Sequence, residues 1–140
     1  MSTQRCLLGS LVGGIVLFFL GYALYGILIL FAGFFEANAG SATGVNRESF
    51  DFVSLLLGQF AWGGMLTLLM DWKRVSTPVE GMKLGAIAGG LFFLGIDLTL
   101  YATTNISNLT AALADVVIAA ALFGVTGAVV ATVVGKKAPA

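Results

Sequence analysis

The 140 residues are 59% hydrophobic and 10% charged, with a net charge of zero and a mean hydropathy of +1.01. Soluble domains carry roughly 25% charged and about 45–50% apolar residues, so the chain belongs with membrane proteins, and its lack of a basic excess excludes a nucleic-acid-binding surface. With no His and one cysteine, Cys6, it has neither the commonest metal ligand nor the usual neutral-pH general base, and no disulfide or cysteine-rich metal site can form within it; no cofactor, metal or catalytic residue is expected.

A bilayer-spanning helix needs about 20 apolar residues. No charge falls between Arg5 and Glu36, so a first span is expected over roughly 7–35, long enough to tilt or project. Ala37-Asn38-Ala39 mimics a signal cleavage site, but a signal core is about 7–15 residues, far shorter than this run, so the segment is expected to remain as a span. Loop 36–50 is rich in Gly, Ala, Ser and Asn and is the longest connection. A second span is expected over 52–70, between Asp51 and Asp71.

Thr77-Pro78-Val79-Glu80 fits a helix start: Thr77 accepts from a free backbone N–H, Pro78 suits the first helical position and Glu80 reaches back to the cap. It opens a third span, 79–104, which contains Asp97, Thr99 and Tyr101. The turn Asn105–Asn108 carries two formal glycosylation sequons so close to the membrane that Asn105 and Asn108 are expected to act as turn and cap residues. The fourth span, 109–134, contains Asp115. The whole chain, 1–140, thus reads as one all-α domain, an integral membrane antiparallel four-helix bundle.

Lys and Arg in short loops orient such a bundle. Arg5, Lys73, Arg74, Lys83, Lys136 and Lys137 fall on one side and Arg47 alone on the other, six against one. Both termini are therefore expected in the cytoplasm, with loop 36–50 outside. Trp72 and Tyr101 stand near opposite boundaries, where aromatic anchors belong.

Lipid tails are as apolar as Leu, so small residues that allow close approach must drive helix association. Nineteen glycines would weaken soluble helices by roughly 1 kcal/mol each relative to Ala; in a tight membrane bundle they are expected. Gly9 and Gly13, then Gly81, Gly85 and Gly89, recur every four residues, and Gly124 and Gly127 do similar work on the last span. These faces are expected to pack helices and to support self-association. Leu-Phe-Phe-Leu-Gly occurs at 17–21 and again at 91–95, each time after a Gly-Gly pair, which fits a duplicated helical hairpin or a chance recurrence of residues this common in the chain.

The polar exceptions share a depth. At 1.5 Å per residue, Asp97 lies roughly 12 Å inside the outer boundary, Asp115 roughly 9 Å, Gln59 roughly 12 Å and Tyr25 roughly 15 Å. Ala86, Gly90, Phe93, Asp97, Tyr101 and Thr104 form one seam; Ala112, Asp115, Ala119, Leu122 and Thr126 form another. The short turn between spans three and four makes them neighbours, so Asp97 and Asp115 are expected to approach each other. An Asp near the bilayer centre costs about 2.5–3.5 kcal/mol, and no Lys, Arg or His accompanies these two at that depth. Protonation, a shared proton or a water-filled cavity would relieve that cost. The functional expectation is an outward-open polar pocket of Asp97, Asp115, Gln59, Tyr25, Thr99 and Tyr101; the alternative is a set of hydrogen-bonded acids that locks the bundle.

"FLGYALYGILILF" (19–31), "STPVEGMKLGAIAG" (76–89), "DLTLYATTN" (97–105) and "LTAALADV" (109–116), set in the four-span layout, resemble uncharacterised families of small four-helix bacterial inner-membrane proteins. The resemblance implies a multi-pass membrane protein and assigns no activity or site residue. Small multidrug resistance transporters match less well, because their first helix carries a Glu and this first span has no acid. The charge bias argues against the dual insertion of fluoride channels. Redox enzymes of the vitamin K epoxide reductase type need a Cys pair.

Two roles are expected. The first is an accessory or structural membrane protein, not an enzyme, associating with lipid and with itself or a membrane complex. The second is a proton- or cation-coupled transporter or channel subunit using Asp97 and Asp115.

Overall fold

The structure, a computed structural model, describes residues 2–30, 33–45, 47 and 49–135, and of 28–30 the backbone alone. Lys136 and Lys137 of the charge bias lie outside the described residues, as do Phe31 and Ala32 of the expected first span and Asn46 and Glu48 of the loop. The helices are α1 (Thr3–Leu30), α2 (Phe34–Ala37), α3 (Phe52–Lys73), α4 (Pro78–Thr103) and α5 (Leu109–Val134). Among the described residues, four of them are long and apolar enough to cross a bilayer: α1, α3, α4 and α5.

The expected first span, 7–35, needs correction at both ends. Helix α1 starts earlier, at Thr3, where the Ser2 hydroxyl accepts from the Arg5 N–H at 3.4 Å. The Arg5 guanidinium also donates to the carbonyls of Val134 and Gly135, at 2.8 and 3.1 Å. A cation on the last, unpaired carbonyls of α5 gives this polar first turn a partner and extends the helix past the apolar run. At the other end Gly33 has φ 59°, a left-handed conformation that a continuing right-handed helix does not allow. Beyond it, α2 is a separate single turn, closed by the Asn38 N–H and side-chain amide, which both donate to the Phe34 carbonyl.

The other boundaries have local causes. Asp51 caps α3 by accepting from the Ser54 N–H. Arg74, at φ 56°, ends α3, with the Val75 N–H closing onto the Met70 carbonyl. Thr77 and Glu80 form a reciprocal capping box around Pro78 at the start of α4. Asn108 caps α5 by accepting from the Ala111 N–H.

Helix α5 packs most extensively on α4, and α1 on α3; α1 and α5 join these two pairs, while α3 touches α4 and α5 more lightly. One end of the molecule, the basic end, gathers the start of α1, the end of α3, the start of α4 and the end of α5: Arg5 meets Gly135, and Val75 packs with Met70, Val130 and Val134. The opposite end, the loop end, holds α2 and the two remaining connections. There the loop pairs with the α4–α5 turn. Ala39 and Ser107 form an isolated bridge, the Asn108 N–H donates to the Asn38 carbonyl, and the Asn108 side-chain amide donates to Asn38 Oδ1 at 3.0 Å.

Packing toward the basic end is backbone to backbone. A Cβ at Gly63 would lie 2.6 Å from both the Gly14 nitrogen and the Ser10 carbonyl oxygen, and one at Gly13 would lie 2.9 Å from Gly63 Cα. A Cβ at Gly9 would strike the Thr67 side chain. Gly81 and Gly127 face each other's carbonyls, Gly85 and Gly89 lie against Phe123, and Gly124 sits beside Ala86. All seven glycines expected at helix interfaces therefore meet helices of their own chain. Van der Waals contact at this range replaces the hydrophobic drive that lipid does not supply. Most large apolar side chains elsewhere point outward, Phe19, Val53, Leu91 and Val117 among them.

Candidate functional site

The close contact of α1 with α3 runs from Gly9 against Thr67 to Gly14 against Phe60. Beyond it the helices part. At Gly21 and Gly26 of α1 nothing lies within 4 Å of where a Cβ would stand. The space is a cavity of about 730 Å³, walled by Leu17, Gly21 and Tyr25 of α1, Leu55 and Trp62 of α3, Phe93 of α4, and Leu122 and Phe123 of α5. Trp62 stands edge-on to Phe123, centroids 5.6 Å apart, and 5.9 Å from Phe93. Exposed Tyr22, Phe50 and Phe52 form the rim.

The polar wall residues are Tyr22, Tyr25 and Gln59. The Tyr25 hydroxyl donates to Asp115 Oδ1, which ties α1 to α5. Its proton being engaged there, the phenolic oxygen keeps its lone pairs for a donor on the cavity side. Tyr25 is also held by the Phe35 ring of α2, at 6.0 Å. Asp115 and Asp97 stand behind this wall, and a charge on either is felt at Tyr25. Asp97 is half-buried; its Oδ2 is fully buried and has no hydrogen-bond partner among the described residues. That leaves a strong acceptor unanswered, at a cost that native structures generally avoid.

Of the six pocket residues expected from sequence, Tyr25 and Asp115 meet directly, Gln59 shares the cavity with Tyr25, and Asp97 lies within electrostatic reach of Asp115. Two fall elsewhere. The Thr99 hydroxyl donates to the Gly95 carbonyl of its own helix, at 2.7 Å on the exposed side. Tyr101 is 44% exposed and does not reach the cavity wall. Of the expected α4 seam, Ala86, Gly90, Phe93 and Asp97 are half-buried and Tyr101 is exposed, while Gly81, Gly85 and Gly89 are the fully buried positions of α4. The expected α5 seam does turn inward: Ala112, Ala119, Leu122 and Thr126 are buried.

Sequence reasoning missed the aromatic wall. A signal was present, because Phe93 is one turn before Asp97 and Trp62 three residues after Gln59; both aromatics lie on the same helix faces as the polar layer. The described residues contain no group of three or more His, Cys, Asp or Glu able to hold a metal ion. The site can accept protons and hydrogen bonds at one wall and bury apolar surface on the others.

No protein family model matches the chain, and no match is found among curated proteins or solved structures. The resemblance noted from sequence therefore transfers no residue roles.

Proposed function

We propose that the protein is a multi-pass protein of the bacterial cytoplasmic membrane, its four spans antiparallel and both termini cytoplasmic, whose loop-end cavity is an outward-facing, proton-sensitive binding site. Tyr25, Asp115 and Asp97 are its polar anchor, and they make the chain a proton- or cation-coupled transporter or channel subunit. The observation that carries this reading is the Tyr25–Asp115 hydrogen bond at the wall of a 730 Å³ cavity, with the unpartnered Asp97 oxygen close behind it. Acids placed only to lock a bundle would have their acceptors filled. Orientation follows from the six-to-one distribution of Lys and Arg. An accessory role through self-association has less support, since the glycines expected to serve it are occupied within the chain.

Carboxyl infrared bands of the reconstituted protein test the reading. A band that changes between about pH 5 and 9, responds to added cations and disappears in Asp97→Asn or Asp115→Asn is expected, because two nearby acids titrate as a coupled pair. Bands that stay silent to both pH and cations would overturn the binding site and return the acids to a structural role.

A further inference from the structure

We propose that the cavity takes an amphipathic organic cation, its apolar body held among Trp62, Phe93 and Phe123 and its charge beside Tyr25. The inference rests on the reading of the acids as a binding site and names what they bind. Four features of the cavity select this class.

The first is size. About 730 Å³ falls within the roughly 300–1,000 Å³ of pockets that enclose drug-sized molecules, and far exceeds the space a bare ion needs. The second is the wall. A desolvated hard cation needs six or more oxygens around it, but only Tyr22, Tyr25 and Gln59 bring side-chain oxygens here, among aromatic and aliphatic neighbours. The third is charge. No Lys or Arg lines the cavity, which disfavours an anionic amphiphile, and the Asp115 carboxyl stands directly behind Tyr25. The fourth is the direction of the Tyr25 hydrogen bond. Its proton goes to Asp115, so the oxygen presents lone pairs, not a donor, to whatever fills the space. A neutral hydrocarbon would leave those lone pairs unanswered. A cation answers them, and the aromatic rings add cation–π attraction.

Protons and such a ligand compete for the same polarised group. The titratable neighbours of Asp115 are Tyr25 from α1 and Asp97 from α4, while α3 contributes the neutral Gln59. One-for-one exchange weakens apparent affinity by up to about tenfold per pH unit on acidification.

The chain supplies its own reporter. It has two tryptophans; Trp72 is 74% exposed and away from the cavity, so Trp72→Phe leaves Trp62 alone on the wall. Tetraphenylphosphonium and tetraphenylborate, alike in shape and opposite in charge, are the probes, added to the reconstituted protein. Saturable quenching of Trp62 by the phosphonium is expected, with at least tenfold preference over the borate. In Asp97→Asn/Asp115→Asn that preference should fall to threefold or less. Gly21→Phe, at a wall position with open space, should abolish quenching by both ions while circular dichroism stays native. Should that variant fail to fold, Gly26→Leu fills the same wall.

Equal binding of the two ions, or binding that survives filling of the cavity, overturns the inference. Failure of the phosphonium to bind while the carboxyl band still answers to pH and small cations overturns the ligand class and leaves the proton-sensitive site standing. A silent carboxyl band with indifferent binding of both ions overturns both, and the cavity is then an apolar one.

Discussion

The two halves of the molecule use the same residue for opposite ends. Toward the basic end, glycine removes distance: Gly13 meets Gly63, and Gly81 meets Gly127, with no room for a methyl group. Toward the loop end, glycine leaves distance: Gly21 and Gly26, both on the cavity wall, have nothing within 4 Å of a Cβ position. In water an open apolar space would be penalised through the surface it exposes. In lipid, the penalty for space between helices is mainly lost van der Waals contact. A membrane protein can therefore hold a cavity in one half, provided the other half supplies the contact that holds the helices. Close packing and open space are thus segregated along the helix axes.

The largest expected effect comes from breaking that division. Gly63→Leu drives a side chain into the backbone of Gly14 and Ser10, where no flexible atom can give way. A loss of about 3 kcal/mol or more is expected, at the upper end of overpacking costs. Gly21→Leu, on the same helix pair but in the open half, should be neutral or stabilising by up to about 1 kcal/mol, since it removes a helical glycine. Unfolding in mixed micelles, followed by circular dichroism, measures both. Similar losses at the two positions would erase the contrast between the halves.

Tyr25→Phe comes next and tests the loop-end half from the polar side. It removes the donor to Asp115 and should cost about 0.6–2 kcal/mol, the range for hydrogen bonds between membrane helices. The same variant should move the Asp115 carboxyl band. Lost stability without a band shift would mean that the pair acts only as packing.

Much of this contrast was legible in sequence, but only at the level of single helices. Four apolar runs stand out because a bilayer sets a minimum length, and Thr77 with Glu80 marks a helix start because its cap is local. The close-packing glycines are legible from their four-residue spacing. Which face each helix turns inward is less so, because helices apolar all round have no polar side to mark lipid or water. Asp97 and Asp115 were visible as anomalies, yet the direct partner of Asp115 is Tyr25, ninety residues away. That choice depends on α1 lying against α5, and no spacing encodes it. The Arg5 contact with the end of α5 and the pairing of Asn38 with Asn108 are long-range in the same way. The cavity was illegible for a further reason: it is defined by absence of contact, and an open glycine reads like a packed one.

A smaller effect probes the packed half from within. Thr67 and Thr126 are both fully buried. The Thr67 hydroxyl donates to the Gly63 carbonyl at 2.8 Å; that of Thr126 has no partner among the described residues. Valine matches the shape of threonine without its hydroxyl. Thr67→Val should therefore lose about 0.5–1 kcal/mol, and Thr126→Val should gain up to about 1 kcal/mol by removing an unsatisfied polar group. Opposite signs in the same unfolding assay are the expected result. Equal destabilisation would show that the Thr126 hydroxyl is satisfied in the membrane.

The smallest effect compares the halves through their helix caps. Asp51 begins α3 at the loop end, its carboxyl held below the usual carboxylate range by the Ser54 hydroxyl and then the Ser54 N–H. Glu80 caps α4 at the basic end, where its carboxylate accepts from the N–H groups of Ser76 and Thr77 and from the Ser76 hydroxyl. A carboxyl with a lowered folded-state value stabilises the fold above its unfolded value, near about 4. That contribution disappears as pH falls through the folded value. Acidification from about pH 6 toward 3 should therefore loosen the first turn of both helices, detected as faster amide exchange. The turns then differ in what backs them. Behind Glu80 lies the Gly81–Gly127 contact, which holds α4 without its cap. Behind Asp51 lie Phe52 and Leu55, which border the cavity. Exchange at Leu55 should accelerate more than at Gly81, and Asp51→Asn, which caps without titrating, should flatten the response at α3 alone. Equal acceleration at both starts would mean that close packing at the basic end does not reach the first turn of α4, placing the boundary between the halves deeper in the bilayer.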